Sequence, residues 1–420
     1  MNLHRTPLPV KDAVDKVMNR EFQQKAETVE VVDSLHRTLA EDIMATHAVP
    51  PFNKSPYDGF AFRSEDTVEL SREKVGHFRV IETVPAGFRA SRHLREGEAV
   101  RIMTGAEIPN GADCVAMFEV CHPYQNNGEE WVSVKRPFTP GQNVMEKGSE
   151  TEEGEVLVRK GKQVNPGVQA LLATFGYNRV QVYRRPVIGV FATGSELLDV
   201  DEPMQPGKIR NSNAYMILAQ IERAGGRGIY FGKLEDDFDT CYRSVAASLN
   251  QVDCLITTGG VSVGDYDLMP DIYEKLGADV LFNKVAMRPG SVTTVADCKG
   301  KLLFGLSGNP SACYVGFELF TYPVLQALIG KKDVYHKRIM AVLGKDFKKP
   351  NPFTRFVRGF ISYQEGKVYV YPAGLDKSAV VTSLASTNVL IQLRGGTKGY
   401  ENGDRVEALL LEESDGQDIF

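Results

Sequence analysis

The 420-residue sequence has no uninterrupted apolar run approaching the roughly 18 residues of a membrane-spanning helix, so an integral membrane protein is not expected. Its six cysteines, Cys114, Cys121, Cys241, Cys254, Cys298 and Cys313, form no C-x-x-C pair. They read as reduced core or near-surface thiols, not as a disulfide framework or a zinc site. The seven histidines supply no H-E-x-x-H and no pair at helical spacing, so any metal is expected to be a hard ion on carboxylates. Positive charge is also short: 49 Lys and Arg against 54 Asp and Glu leave a net charge of −5. A generic nucleic-acid coat or a polybasic membrane binder is thereby excluded, while one local basic pocket is not. MNLHRTPLPVKDAVDKV lacks the apolar core of a secretory leader, and a cytoplasmic location is expected. TTGGVSVGDYD is neither a G-x-G-x-x-G nor a Walker A loop, which argues against nicotinamide and P-loop chemistry, and FATGSEL lacks the G-x-S-x-G frame of a nucleophile elbow.

What is present is a soluble, multidomain pattern, with 42% apolar and 25% charged residues over a length that predicts about two to four domains. Val10, Ala13, Val14 and Val17 recur at helical spacing, and a second helix is expected over about 23–44. HFRVIETV, EAVRIMTG, CVAMFEV and WVSVKRPF are short strand-like pieces between turn residues. They give a small β-rich inserted module over 55–143. It is flanked by a helical/β N-terminal domain of residues 1–54 plus 144–184, which includes the helical segment GVQALLATFG. From 185 to 330 strands alternate with helices, as in PVIGVFA, the stripe Ala214, Ile217, Leu218, Ile221 and Ala224, DCLITTGG, KLLFGLSG and a helix over about 310–329. That alternation predicts a three-layer, Rossmann-like α/β domain, whose ligands bind at the carboxyl ends of its strands. Residues 331–420 carry RIMAVLG, RFVRGFI, KVYVYPA and NVLIQL and read as a compact β domain, barrel-like in form.

Five loops fall at those strand ends. TTGGVSVGDYD offers Gly259, Gly260 and Ser262 as backbone donors to an anion, with Asp265 and Asp267 able to hold a cation; a glycine turn and a helix cap would explain the same residues. FATGSEL offers Gly194, Ser195 and Glu196, or is a plain strand-to-loop turn. LSGNPSACYVG places Gly308 and Asn309 at a helix start, which is either punctuation or an anion site. NKVAMRPG brings two cations, Lys284 and Arg288, four residues apart. Asp237 ends an acidic run at a helix start, where capping alone would account for it. Together they fit a phosphorylated ligand held with Mg²⁺.

With PPFNKSPYDGFAFR, VRIMTGAEIPNGADCV, GVFATGSELL, GKIRNSNAYMILAQI, TTGGVSVGDYD, KVAMRPGSV and LSGNPSACYVGFEL in fixed order, the chain resembles the molybdopterin molybdenumtransferases, the family that includes the gephyrin E domain. The resemblance implies insertion of molybdenum from molybdate into adenylylated molybdopterin, with Mg²⁺ present and AMP released. It also implies a homodimer whose cleft lies between the α/β domain of one subunit and the β-rich module of the other, and transient contacts with other molybdenum cofactor enzymes. By matching motifs it implies catalytic roles for Asp58, Thr104, Glu196, Asp237, Asp267, Lys284 and Arg288. Glu196, Asp237 and Asp267 would carry the metal, and Arg358 and Ser378 would bind molybdate. Against the family pattern, Arg288 replaces a lysine, LSGNP replaces L-P-G-N-P, and Met145 and Glu146 stand where many members carry arginines. The competing readings are a molybdopterin adenylyltransferase, which would need only the α/β domain, and a non-catalytic molybdopterin-binding carrier.

Overall fold

The computed structural model of the chain describes residues 6–234, 237–260, 268–350 and 352–412. The first helical pattern forms α1 (Val10–Met18), which buries Ala13 and Val17 in the largest hydrophobic core. The helix expected over 23–44 does not form. Instead β1 (Ala26–Glu30) is a strand, Val31–Asp33 make a single 3₁₀ turn, and β2 (Ile43–Met44) follows. Thr28, Val29, Val31 and Val32 are β-branched, which crowds a helical turn and suits a pleated strand.

The next six strands are β3 (Gly59–Phe62), β4 (Gly76–Val84), β5 (Glu98–Ile102), β6 (Cys114–Met117), β7 (His122–Asn126) and β8 (Glu129–Val134). They form one sheet in the order β6-β3-β5-β4-β8-β7. Phe60 and Phe62 pack with Phe78 and Val132 on one face, while Ala61 packs with Val84 and Ile102 on the other. β3 and β7 add to the four strands legible in the sequence. The chain then returns through β9 (Val156–Val158), α2 (Pro166–Thr174) and β10 (Arg179–Tyr183). β9 pairs with β2 and β10 with β1, so the segments before and after the six-stranded sheet are joined. Asn165 caps α2, its side-chain oxygen accepting from the Val168 amide at 2.9 Å, with Pro166 in the first turn.

The α/β unit runs through β11 (Val187–Thr193), the short β12 (Leu197–Leu198) and β13 (Ile209–Arg210), α3 (Asn213–Arg223), β14 (Arg227–Leu234), α4 (Phe238–Ser248) and β15 (Cys254–Thr258). It continues through α5 (Met269–Lys275), β16 (Asp279–Phe282), β17 (Met287–Arg288), β18 (Thr294–Cys298), β19 (Lys301–Leu306), α6 (Pro310–Gly316) and α7 (Tyr322–Leu328). Its sheet has the order β14-β11-β15-β19-β18-β16, with the first four strands parallel. Alternate residues enter different cores: Ile188, Val190, Ile256 and Phe304 meet α3, α6 and α7, whereas Phe191, Leu255 and Leu303 meet α4 and α5. Burial on both faces is why these strands read as continuous apolar runs. A wider π turn, Phe317–Thr321, interrupts the helix expected over 310–329.

The last unit contains β20 (Arg338–Leu343), β21 (Thr354–Gln364), β22 (Lys367–Pro372), β23 (Val389–Leu393) and β24 (Arg405–Leu410). The order β21-β22-β20-β24-β23 returns to β21, closing a five-stranded barrel around Leu343, Val357, Val370 and Ile391. β17 of the preceding unit pairs in parallel with β21, so the barrel is hydrogen-bonded to the α/β unit.

All six cysteines are buried, and desolvation pushes the Cys114, Cys121 and Cys254 thiols up to about 12. The native protein is therefore expected to consume less than about one equivalent of a thiol reagent at pH 8 and about six after unfolding. Rapid native labelling of several thiols would contradict this core.

Candidate functional site

Three loops converge at the carboxyl ends of the adjacent strands β11, β15 and β19. Gly259 has φ +90°, and a Cβ there would lie 2.6 Å from the Thr193 carbonyl oxygen; at Gly260, with φ +62°, it would lie 2.8 Å from Thr193 Oγ1. A Cβ on Gly308 would reach the Gly259 Cα at 3.6 Å. The Gly259 amide donates to the Leu306 carbonyl at 2.9 Å, and the Thr193 hydroxyl donates to the Thr258 carbonyl at 3.2 Å. Positive φ and the close approach to Thr193 both require glycine at 259 and 260, while Gly308 sits in ordinary contact with Gly259. The Glu196 carboxylate folds back over Gly194, occupying the space that a Cβ would need. Lys208 donates to the Ser195 carbonyl at 2.5 Å, and Asn213 to the Gly308 carbonyl at 2.8 Å, which fixes two of the loops.

The 307–309 loop also walls a cavity of 590 Å³ between the α/β unit and the barrel, lined by Arg288, Ser307, Asn309, Arg355, Lys377 and Ser378 among others. Arg288 and Arg355 are register partners across β17 and β21, so two guanidinium groups start from neighbouring backbone positions. Like charges so placed repel unless an acid or a bound anion lies between them. Asp376, also in the lining, accepts from Arg355 at 2.5 Å; Lys349 and Arg358 stand 3.6 and 3.7 Å from it. The barrel loop is anchored to the start of α6, where the Ser311 amide donates to the Ser378 carbonyl at 3.0 Å and the Ser311 hydroxyl to the Val380 carbonyl at 2.5 Å. Arg288, Lys377 and Arg355 against Asp376 leave the lining cationic, suited to an oxyanion.

Arg358, expected beside molybdate, is only 1% exposed and is not part of that lining. It donates to Ser383 Oγ at 3.1 Å and to the carbonyls of Leu375 and Lys377 at 3.2 and 3.4 Å, beneath the loop. Burial lowers the pKa of its guanidinium from the ordinary value, opposed by Asp376, and its Nη1 has no partner among the described residues. Arg355 was not singled out from the sequence. The two arginines are three apart on one strand and start from opposite faces; both approach Asp376, but of the two only Arg355 lines the cavity.

The other expected residues are spread more widely. Asp237 follows β14, the neighbour of β11, and caps α4: its Oδ2 accepts from the Thr240 amide at 2.8 Å, and bonds to Thr240 hold its pKa below the usual carboxylate range. Lys284 is partly buried where α1 begins, its carbonyl accepting from the Leu8 amide at 3.0 Å, and it does not line the cavity that Arg288 lines. Ser262, Asp265 and Asp267 lie outside the described residues. Among the described residues no three His, Cys, Asp or Glu side chains cluster as a metal site. The exposed carboxylates of Glu196 and Asp237 nonetheless follow adjacent strands, and both are hard oxygen donors.

Asp58 and Thr104 belong to the separate β3–β8 sheet. Asp58 Oδ1 accepts from the Thr104 amide at 2.6 Å and from its hydroxyl at 2.8 Å, and those bonds lower the Asp58 pKa. The segment carrying Met145 and Lys147 lies alongside: Lys54 and Met145 exchange backbone bonds at 3.0 and 2.9 Å, and the Lys147 amide donates to Asn53 Oδ1 at 2.8 Å. Removing the hydroxyl in Thr104→Val should raise the Asp58 pKa toward that of an ordinary aspartate, because one of the two bonds favouring the ionised form is gone. Carboxyl ¹³C titration of the wild type and the variant checks this; coincident curves would mean the hydroxyl bond does not form in solution.

Comparison with known proteins adds to this geometry. Three family models match along the chain: the MoeA N-terminal region (domain I and II) at 8–176, the probable molybdopterin binding domain at 189–327, and the MoeA C-terminal region (domain IV) at 340–411. The molybdopterin molybdenumtransferase of Bacillus subtilis (strain 168) is 55% identical over 414 residues, covering 99% of this chain and 96% of that protein. Its namesake from Staphylococcus aureus (strain Mu50) is 47% identical over 408 residues, covering 97% and 96%. The crystal structure of the molybdopterin biosynthesis MoeA protein from Pyrococcus horikosii superposes with a TM-score of 0.85 at 30% identity, covering 97% of this chain and all of that one.

Proposed function

The chain belongs to the molybdopterin molybdenumtransferase family, and on that premise we propose how its residues carry the reaction. It is a transferase of molybdenum cofactor biosynthesis that inserts molybdenum into molybdopterin. The finer reading is that molybdate and adenylylated molybdopterin are the substrates and AMP is released. The observation that carries it is the facing pair Arg288 and Arg355 on the wall of the cavity beside the three glycine loops.

In this reading the pterin's phosphate end occupies the carboxyl edge of β11, β15 and β19, where Gly194, Gly259, Gly260 and Gly308 leave backbone within reach of it. Arg288, Arg355 and Lys377 hold the tetrahedral oxyanion, with Ser378 beside them, and Asp376 keeps Arg355 oriented. Arg358 is a positioning residue that ties down the 375–383 loop. Mg²⁺ suits the hard oxygen donors Glu196, Asp237 and Asp267; one or two of these carboxylates would bind it directly and the remainder through the waters it retains. When bound there it would neutralise charge on the phosphoanhydride oxygens. Asp58, kept ionised by Thr104, would orient the attacking oxygen or accept its proton. Because it lies on a sheet separate from that of the α/β unit, this role calls for a homodimer in which one subunit's β3–β8 module faces the other subunit's cleft. Transient handover to other molybdenum cofactor enzymes fits such a product.

The test supplies purified protein with adenylylated molybdopterin, Mg²⁺ and molybdate, following AMP and pterin-bound molybdenum together. Release of AMP that depends on molybdate supports the reading; tight pterin binding without AMP would favour a carrier. Arg355→Ala should raise the molybdate concentration for half-maximal rate by about tenfold or more, with little change in Tm, since each tenfold is about 1.4 kcal/mol of lost interaction. Arg358→Ala should cost about 2 kcal/mol of stability by stripping partners from Ser383 and two carbonyls. If Arg358→Ala alone changed the molybdate dependence, Arg355 would not be the oxyanion ligand. Asp58→Ala should lower AMP release by at least about 100-fold without unfolding the protein.

A further inference from the structure

Far from the cavity just described, the turn after β9 meets the turn after α7. Gly161, with φ +86°, would place a Cβ 3.3 Å from the Gly330 carbonyl oxygen, and Gly330, with φ +74°, lies against the Tyr183 ring, which a Cβ there would meet at 2.1 Å. The first turn is held by backbone bonds between Leu39 and Lys162 at 2.9 Å and between Gly161 and Leu39 at 2.8 Å. Both turns are therefore fixed, and they bring Arg159, Lys160 and Lys162 to the same depression as Lys331 and Lys332, a hollow of 530 Å³. Its apolar lining is Leu157, Val158 and Val168.

Five cations share this hollow in a chain whose net charge is −5. Two like charges about 8 Å apart repel by about 0.5–2 kcal/mol, depending on the effective dielectric. Arg159 is balanced by Asp42 at 3.4 Å, and Asp333 is the single carboxylate in the lining. Among the described residues Lys160, Lys162, Lys331 and Lys332 make no ion pair. Lys331 is partly buried, and desolvation lowers the pKa of its ammonium. The hollow is thus net cationic and suited to an anionic ligand, whose chemistry can be narrowed. The α2 start beside the hollow offers no ready phosphate cradle, since the Val168 amide is already bonded to Asn165. Four of the five cations are lysines, flexible point charges without the planar fork that grips phosphate. An apolar floor under a cationic rim fits aliphatic side chains flanked by carboxylates.

We propose that this hollow is a docking site for an acidic segment of a partner protein, one carrying aliphatic residues between Asp and Glu. Its lining shares no residue with the cavity or the glycine loops described above, so its variants are expected to report on docking alone.

The probe is a fluorescein-labelled twelve-residue peptide of Glu and Asp with two leucines, titrated by anisotropy against the full-length protein at 50 and 200 mM NaCl. Binding in the tens of micromolar at the lower salt is expected, weakened at least about tenfold by Lys160→Glu/Lys162→Glu and likewise by Lys331→Glu/Lys332→Glu. Replacing both leucines by serine should cost about fivefold, which charge attraction alone would not produce. Molybdate-dependent AMP release by both double variants should stay at the wild-type rate, showing that they are folded. Equal peptide affinity of wild type and variants would overturn the proposal. So would indifference to the leucines, or displacement of the peptide by inorganic triphosphate below the peptide's own Kd, which would mark a small-anion site. A changed sedimentation coefficient for either variant would assign the hollow to contact between copies of this chain, and the proposal would fall.

Discussion

The site depends on a close approach of three backbones at the carboxyl ends of β11, β15 and β19. Gly259 and Gly260 press on Thr193 with no room for a Cβ, Gly308 lies in van der Waals contact with Gly259, and the hydrogen bond from Gly259 to Leu306 locks two of the loops together. Two parts of the proposed site are placed relative to that junction. Gly194 and Glu196 flank it on one side, and Ser307 and Asn309 continue it into the wall of the cavity beside the barrel on the other. A parallel sheet buried on both faces supplies the rigidity, because its strands cannot slip without exposing one of two apolar cores.

A second dependence is electrostatic. The pairing of β17 with β21 sets Arg288 against Arg355, an arrangement that repels on its own and that Asp376 offsets only in part. In the proposed reading, an oxyanion bound between them would offset that repulsion, as preorganised sites do generally. A second cationic surface is the lysine-rich hollow between β9 and α7, where packed glycine turns hold four lysines that make no ion pair among the described residues.

Much of the fold could be read along the chain. The α3 stripe, the buried strands β11, β15 and β19 and most β-module strands carry the periodicities of their final elements. The helix expected over 23–44 failed because its β-branched residues pair with Arg179–Tyr183, a partner that no local window contains. β3 was hidden for a related reason. Gly59, Phe60, Ala61 and Phe62 show no alternation because both faces are buried. At the site, Arg288, Asn309 and Ser378 line one cavity, Gly194, Ser195, Glu196, Gly259, Gly260 and Gly308 gather at the neighbouring strand ends, and Asp58 bonds Thr104. Arg355 escaped notice beside Arg358, since a sequence shows two arginines on one strand but not which face meets a ligand.

The sequence by itself determined the family, the α/β pattern with its glycine-bearing strand ends, and the absence of an apolar span long enough for a membrane helix. Those properties follow from local composition and order: glycine where backbone must approach, apolar runs where strands are buried, motifs in a fixed succession. Tertiary structure alone decided which arginine faces the cavity, that Asp376 ties three cations together, and that two lysine-bearing turns share one hollow. Each of these is a contact between segments far apart in the chain. Long-range contact is fixed by strand register and packing, which residue order constrains only after the whole chain has folded.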